Sequence, residues 1–157
     1  MASQDIPQLV MDSIYDQFRY STERVRWHQS GDTFSEEYTL AICEVARRTP
    51  HLIHYLYTKC LHIWLPIIMD ELVPDNLLIT ASWGGKYDHL IQHSYAFPRN
   101  SRVVFTEGEA AELGLPIDHD DSHAYEGNPH AFCHLVHGQQ PAGSLAQAAI
   151  QLRKKEG

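Results

Sequence analysis

Apolar and polar positions along the chain form short alternating runs separated by longer stripes of helical period, the pattern of strands and helices in turn. Ile6, Leu9, Val10, Ile14 and Phe18 lie along one stripe, and Pro7 suits a first turn, so the first twenty residues predict an amphipathic helix. Arg24–His28 alternates charged with apolar or aromatic side chains and predicts a strand; Gly31 and Asp32 within Gln29–Thr33 predict the turn after it. A helix follows, opened by Glu36 and Glu37, closed by Arg47 and Arg48, and stopped by Pro50. His51–Thr58, Asn76–Trp83, Ser101–Phe105 and Ala131–His137 read as further strands. Between them, Leu61–Leu72 is apolar enough for a buried helix that Pro66 must kink or start, and Tyr87–His93 makes a short one. Thr106–Glu109 and Ser144–Gln147 have capping-box spacing, the first with Gly114 beyond its helix and the second opening a final helix that ends at Lys154 and Lys155. Asp118–Asn128 reads as a polar loop.

The four clearest strands begin near residues 24, 51, 76 and 101, a spacing of 25 to 27 residues that fits one strand, one helix and their loops. The units share no residue pattern, so this is a rhythm and not a repeat. It predicts an α/β fold of about five strand–helix units, mainly parallel, as an open sheet or partial barrel; a closed eight-fold barrel needs roughly 250 residues. The 157 residues suit a single domain over the whole chain. Parallel strands bring their carboxyl ends to one edge, which gathers His28 and Asp32, Thr58 and Lys59, Ser82 and Trp83, and Thr106, with the 118–123 loop in reach.

Composition places the chain in the ordinary globular class, with 43% hydrophobic and 20% charged residues. Its net charge of -8 argues against a nucleic-acid backbone as direct partner and permits a basic surface on a host protein. The acidic residues bunch: Glu107, Glu109, Glu112, Asp118, Asp120, Asp121 and Glu126 occur with no lysine or arginine among them. Cys43, Cys60 and Cys133 lie far apart, which predicts reduced thiols and excludes a local four-cysteine zinc knuckle. The N-terminal sequence lacks a secretory pattern, and the longest apolar run, Ile63–Met69, is too short to cross a bilayer. The expectation is a soluble protein in the cytoplasm of the host cell, with no membrane partner.

Histidines are the main candidate chemistry, eleven in all. His28 and Asp32 suit an orienting pair in which the carboxylate holds one imidazole nitrogen and leaves the other as base or ligand; equally, Asp32 can cap the next helix while His28 ends its strand. Ser30 lies between them without a nucleophile-elbow motif. His119, Asp121 and His123 combine imidazole and carboxylate at a spacing that suits zinc or manganese, although the stretch is a poor helix and also reads as a solvated loop. His130, His134 and His137 cluster around Cys133, but strand alternation turns His134 away from Cys133 and His137. Trp83-Gly84-Gly85-Lys86 resembles an anion-cradling turn without the full phosphate-loop pattern, and Lys59 is either a strand-end amine or simply exposed. Tyr55, Tyr57, Trp27 and Trp64 read as core.

Val25–Tyr38 (VRWHQSGDTFSEEY), Glu44–Pro50 (EVARRTP), Tyr57–Thr58 and Asp75–Trp83 (DNLLITASW) resemble the phage gene-product-eighty-eight family, most specifically at the His28–Ser35 core. The tail, from Leu115–Gly127 to His137–Ser144, is similar to that of related phage proteins. The resemblance implies a partial-barrel fold, a mobile-element origin, and His28, Ser30 and Asp32 as candidate catalytic residues. Members carry cysteine clusters before this core and at the C-terminus, implying iron–sulfur chemistry related to the radical-SAM partial barrels. This chain has no cysteine before His28, so no iron–sulfur cluster is expected in it. Two functions follow as expectations. One is a phage accessory protein or degenerate enzyme with a polar, metal-assisted site at the strand ends. The other is a non-catalytic acidic inhibitor that binds the basic surface of a host defence complex.

Overall fold

Ser35 starts the best-defined helix: its hydroxyl accepts from the Tyr38 N–H at 3.2 Å, and Glu36 and Glu37 occupy the positive first turn. That helix, Glu36–Arg48, ends on Arg47 and Arg48, where the Thr49 N–H closes onto the Val45 and Ala46 carbonyls ahead of Pro50. The computed structural model describes residues 5–17 and 23–156. Among them the elements are α1 (Ile6–Gln17), β1 (Arg24–Arg26), α2 (Glu36–Arg48), β2 (Ile53–Thr58), α3 (Leu61–Met69), β3 (Leu77–Ser82), α4 (His89–His93), β4 (Asn100–Val104), α5 (Glu107–Leu113), α6 (Ser122–Glu126), β5 (Ala131–Leu135) and α7 (Leu145–Glu156). Phe18, at the end of the expected N-terminal stripe, lies outside the described residues.

The five strands pair in sequence order, all parallel, and the sheet curls into a half-barrel. This is the parallel α/β fold that the strand–helix rhythm predicts, in the second of its two forms, the partial barrel. Both capping boxes form. Thr106 Oγ1 accepts from the Glu109 N–H and Glu109 reaches back to the Phe105 N–H; Ser144 and Gln147 do the same before α7. Gly114 ends α5 in the left-handed conformation, with φ 64.

Several boundaries differ from the sequence expectation: β1 stops at Arg26 and not His28, β2 starts at Ile53 and not His51, and β4 is shifted back by one residue. Three further differences have a local reason. α3 stops at Met69 and not Leu72, because Glu71 takes φ 56 and leaves the helical path. The polar loop after Asp118 contains α6, since Asp118 binds the His123 N–H and the Asp121 carbonyl takes the Ala124 N–H, closing a helical turn. β5 ends at Leu135, two residues short of His137.

Register sorts the strand residues onto two faces. Val25, His54, Leu56, Leu77, Ile79 and Ala81 lie on the convex face and pack with Ile42, Val45, Leu61, Trp64 and Ile67 of α2 and α3. Burying side chains of this size stabilises by about 1.5–3 kcal/mol each. Further along that face, Val104 and Cys133 pack with Ala110 of α5. Arg26, Tyr55, Tyr57, Leu78, Thr80, Ser82, Ser101, Val103, Phe132 and His134 share the concave face. Ala124 and Tyr125 of α6 close its lower end against Tyr55 and Phe132. The upper end, at the carboxyl termini of the strands, stays open.

One polar residue is built into the convex core. His54 is fully buried; its Nδ1 accepts from Trp27 Nε1–H at 3.1 Å, and its Nε2 meets Thr49 Oγ1 at 2.8 Å. Thr49 gives its own proton to the Val45 carbonyl, so Nε2 must be the donor and the ring is neutral. Burial, with a smaller push from His51, lowers its pKa to about 4.

Candidate functional site

The open end of the half-barrel holds a cleft of about 630 Å³, lined by strand-end residues, by the Asp118–Asp121 segment and by Arg153 from α7. Asp121 organises its floor. Its carboxylate takes an ion pair from Arg26 at 2.6 Å and hydrogen bonds from Tyr57 Oη at 3.1 Å and Tyr55 Oη at 3.4 Å. Asp121 sits at φ 65, a left-handed conformation that aspartate tolerates through its short polar side chain. Burial, and then the Asp121 charge, push the Tyr57 hydroxyl far up, so it remains protonated and donates. Asp118, almost wholly buried, accepts from the Asp120 and His123 N–H groups and thereby shapes the loop that carries Asp121.

His134 enters the cleft from β5, edge-on to Tyr57 and Phe132. Burial lowers its pKa, against an opposing pull from Asp118 and Asp121, so the imidazole is neutral at physiological pH and can accept a proton. His137 lines the same cleft. Strand alternation was expected to keep it apart from His134, but β5 has ended before His137 and alternation no longer applies. Ser82 and Ser101 are register partners on β3 and β4 and present neighbouring hydroxyls to the cleft.

The residues singled out in the sequence divide. His28 does not bind Asp32: its Nε2 meets Tyr38 Oη at 2.9 Å, its Nδ1 is buried without a partner, and its backbone is left-handed at φ 55. Burial lowers its pKa, with the Asp32 charge acting against it. Asp32 instead receives the Thr33 N–H at 2.7 Å, the Thr58 hydroxyl at 2.6 Å and the Lys59 N–H at 2.7 Å, which ties the loop after β1 to the end of β2. Ser30 is exposed. None of the three lines the cleft. Lys59 does, with its ammonium 3.4 Å from the Gly84 carbonyl, so Asp32 acts on the cleft by placing the backbone of Lys59.

His119 and Asp121 line the cleft, whereas His123 turns away against Phe132, with Nδ1 3.9 Å from Asp118. Among the described residues no three His, Cys, Asp or Glu side chains are grouped as a metal site requires, and His119, Asp121 and His123 are no exception. The glycine turn cradles an anion of its own: Gly84 and Gly85 donate their N–H groups to the Asp88 carboxylate at 3.0 and 2.9 Å. The acidic run is likewise consumed in part, since Asp118 and Asp121 point inward while Glu107, Glu112, Asp120 and Glu126 are exposed. No helix among the described residues is long and apolar enough to cross a membrane.

Arg26, Tyr57, Ser101, Arg102 and Arg153 have no motif that marks them as site residues in the sequence, and His134 stands there only in the cluster with His130 and His137 that strand alternation disfavours. Where there is a signal, it is positional. Arg24 and Arg26, or Tyr55 and Tyr57, lie two apart and so share a face, and polar residues on the same face as a strand's last residues belong to the mouth of a parallel barrel; Arg102, on the face opposite Ser101, and Arg153, on α7, carry no such signal.

Fold and site together define an α/β half-barrel protein with a polar cleft at the carboxyl edge of its sheet. The chain belongs to the Gene product 88 family, a phage-type family whose profile matches residues 3–155. No curated protein and no solved structure matches it.

Proposed function

We propose that this is a phage or mobile-element accessory protein that binds a small polar molecule in the mouth of the half-barrel, with His134 available as a proton acceptor and Tyr57 held in place by its bond to Asp121. The observation that supports this most is the convergence of Arg26, Tyr57, His134 and Asp121 from four separate elements on one cleft. The neutral imidazole of His134 stands edge-on to a phenol whose proton is committed to Asp121, so the base of the pair is His134. The cleft volume falls within the range of small-molecule sites. Asp32 supports the mouth from outside it, through Thr58 and the backbone of Lys59.

Docking of an acidic face onto a basic host surface has less to rest on. Two of the carboxylates that suggested it, Asp118 and Asp121, are committed to internal hydrogen bonds.

The test is a panel of small polar metabolites followed by NMR chemical-shift mapping and by thermal shift. A ligand should perturb Tyr57, Ser82, Ser101 and His134, and Tyr57→Phe or His134→Asn should weaken it at least tenfold without unfolding the protein. Ligands that perturb only residues outside the cleft, or a panel with no binder at all, would reject the reading.

A further inference from the structure

We infer that the cleft is built for a phosphate-bearing small molecule, with Lys59, Arg102 and Arg153 supplying the charge that binds it. The inference rests on the reading of the cleft as a small-molecule site and names the ligand chemistry.

The chain carries a net charge of -8, yet the cleft is lined by four cations, Arg26, Lys59, Arg102 and Arg153, against three carboxylates. The carboxylates are spoken for. Asp121 is held by Arg26 and two tyrosines, Asp118 by two backbone N–H groups, and Asp120 by the Ser122 N–H. The cations other than Arg26 are not. Among the described residues Lys59, Arg102 and Arg153 have no carboxylate partner. Each is fixed by a neutral one. Lys59 reaches the Gly84 carbonyl, Arg102 lies 4.6 Å over the Trp83 ring, and Arg153 donates to the Val136 carbonyl. Arg102 shares the face of Val104 and Cys133 by register and reaches the cleft at its rim, beside Trp83. Positioned but uncompensated cations around one cleft are what an anion needs: their ordering is already done and their charge is not cancelled.

The donor chemistry selects phosphate among anions. A single carboxylate is satisfied by one guanidinium, whereas a phosphate dianion takes several donors over three oxygens. The Arg102 side chain makes no hydrogen bond among the described residues, and its Nε is buried without a partner, as is that of Arg153. Ser82 and Ser101, paired across β3 and β4, add two hydroxyls with no protein partner among the described residues. The glycine turn beside Lys59 is not the binding element, because Asp88 already fills it.

The experiment titrates the full chain by calorimetry with inorganic phosphate, a sugar phosphate and a nucleoside monophosphate, beside the unphosphorylated sugar and nucleoside. Each monoester should bind at least tenfold more tightly than its neutral counterpart, and affinity should fall with added salt. Lys59→Met and Arg102→Met should each cost at least fivefold in affinity, while Lys155→Met, on the exposed far end of α7, should change nothing. Should Arg102→Met fail to fold, Lys59→Met, at an exposed position, carries the test. Monoester binding well above that of inorganic phosphate assigns the organic part to the cleft as well; equal binding assigns the phosphate alone, and both support the inference. Neutral compounds binding in the cleft as tightly as their phosphates would overturn it and leave the small-molecule reading standing. Phosphate binding untouched by Lys59→Met and Arg102→Met would overturn it by placing the anion elsewhere. Silence from every compound, charged and neutral, would count against both.

Discussion

Two loops of this protein carry the same kind of residues and use them in opposite ways. The loop after β1 holds His28, Ser30 and Asp32; the segment before α6 holds His119, Asp120 and Asp121. In the first, the carboxylate of Asp32 faces the backbone and joins two strand ends, and no residue of the trio lines the cleft. In the second, Asp121 turns inward to Arg26 and Tyr57 and becomes part of the cleft floor. A His–Asp pairing in the sequence therefore says little by itself. What decides its use is whether the loop leaves the sheet on the convex or the concave side.

That comparison breaks or sharpens under four measurements. Asp32→Ala should have the largest effect, a loss of about 4 kcal/mol in urea melts, because it leaves the buried Thr58 hydroxyl and two backbone N–H groups without their charged acceptor. Next comes acid. His54 anchors Trp27, the residue just before the first loop, and is neutral when folded with a pKa of about 4. An unfolded histidine takes up a proton near pH 6.5, so this contribution is complete above that pH and is lost as pH falls toward 4, amounting to about 3 kcal/mol. Denaturation midpoints that stay flat between pH 6.5 and 4 would contradict the His54 network.

Asp121→Asn should do the reverse of Asp32→Ala. Asparagine accepts the left-handed backbone, and the Arg26 pair is partly exposed, so stability should change by about 1 kcal/mol or less while cleft-ligand affinity shifts severalfold, upward for an anionic ligand because Arg26 is released. If it destabilises as much as Asp32→Ala, the second loop is architecture too and the contrast is lost. Ser30→Ala should be the smallest, within about 0.5 kcal/mol and without effect on binding, since the side chain is exposed. A loss of function there would return the first loop to the site.

The fold was legible because its signals are local. Alternation, caps and the spacing of strands all act within a few residues, and the parallel order follows once each strand is joined to the next by a helix. Ser35, the cap of α2, is a local signal of the same kind, three residues before the N–H it accepts from. The site was legible only as a location. Tyr57 reads as core because an aromatic in a strand usually is; here the curl of the sheet leaves its face half-covered, and curl is a property of the whole sheet. Arg153 lies 127 positions from Arg26 in the chain, and nothing near either residue announces the other. His119, Asp121 and His123 failed as a set for a geometric reason, since α6 begins between the last two and rotates His123 onto Phe132.

The glycine turn closed by Asp88 has a bearing on how such a protein can change. Two backbone N–H groups already converge beside Lys59, and one internal carboxylate occupies them. Replacing Asp88 with a neutral residue would empty a ready anion cradle without moving the backbone. A lineage under pressure to accept a larger, doubly charged ligand is thus a single codon away from a second foothold at the rim. The same carboxylate, while present, keeps that foothold shut and holds recognition within the barrel mouth.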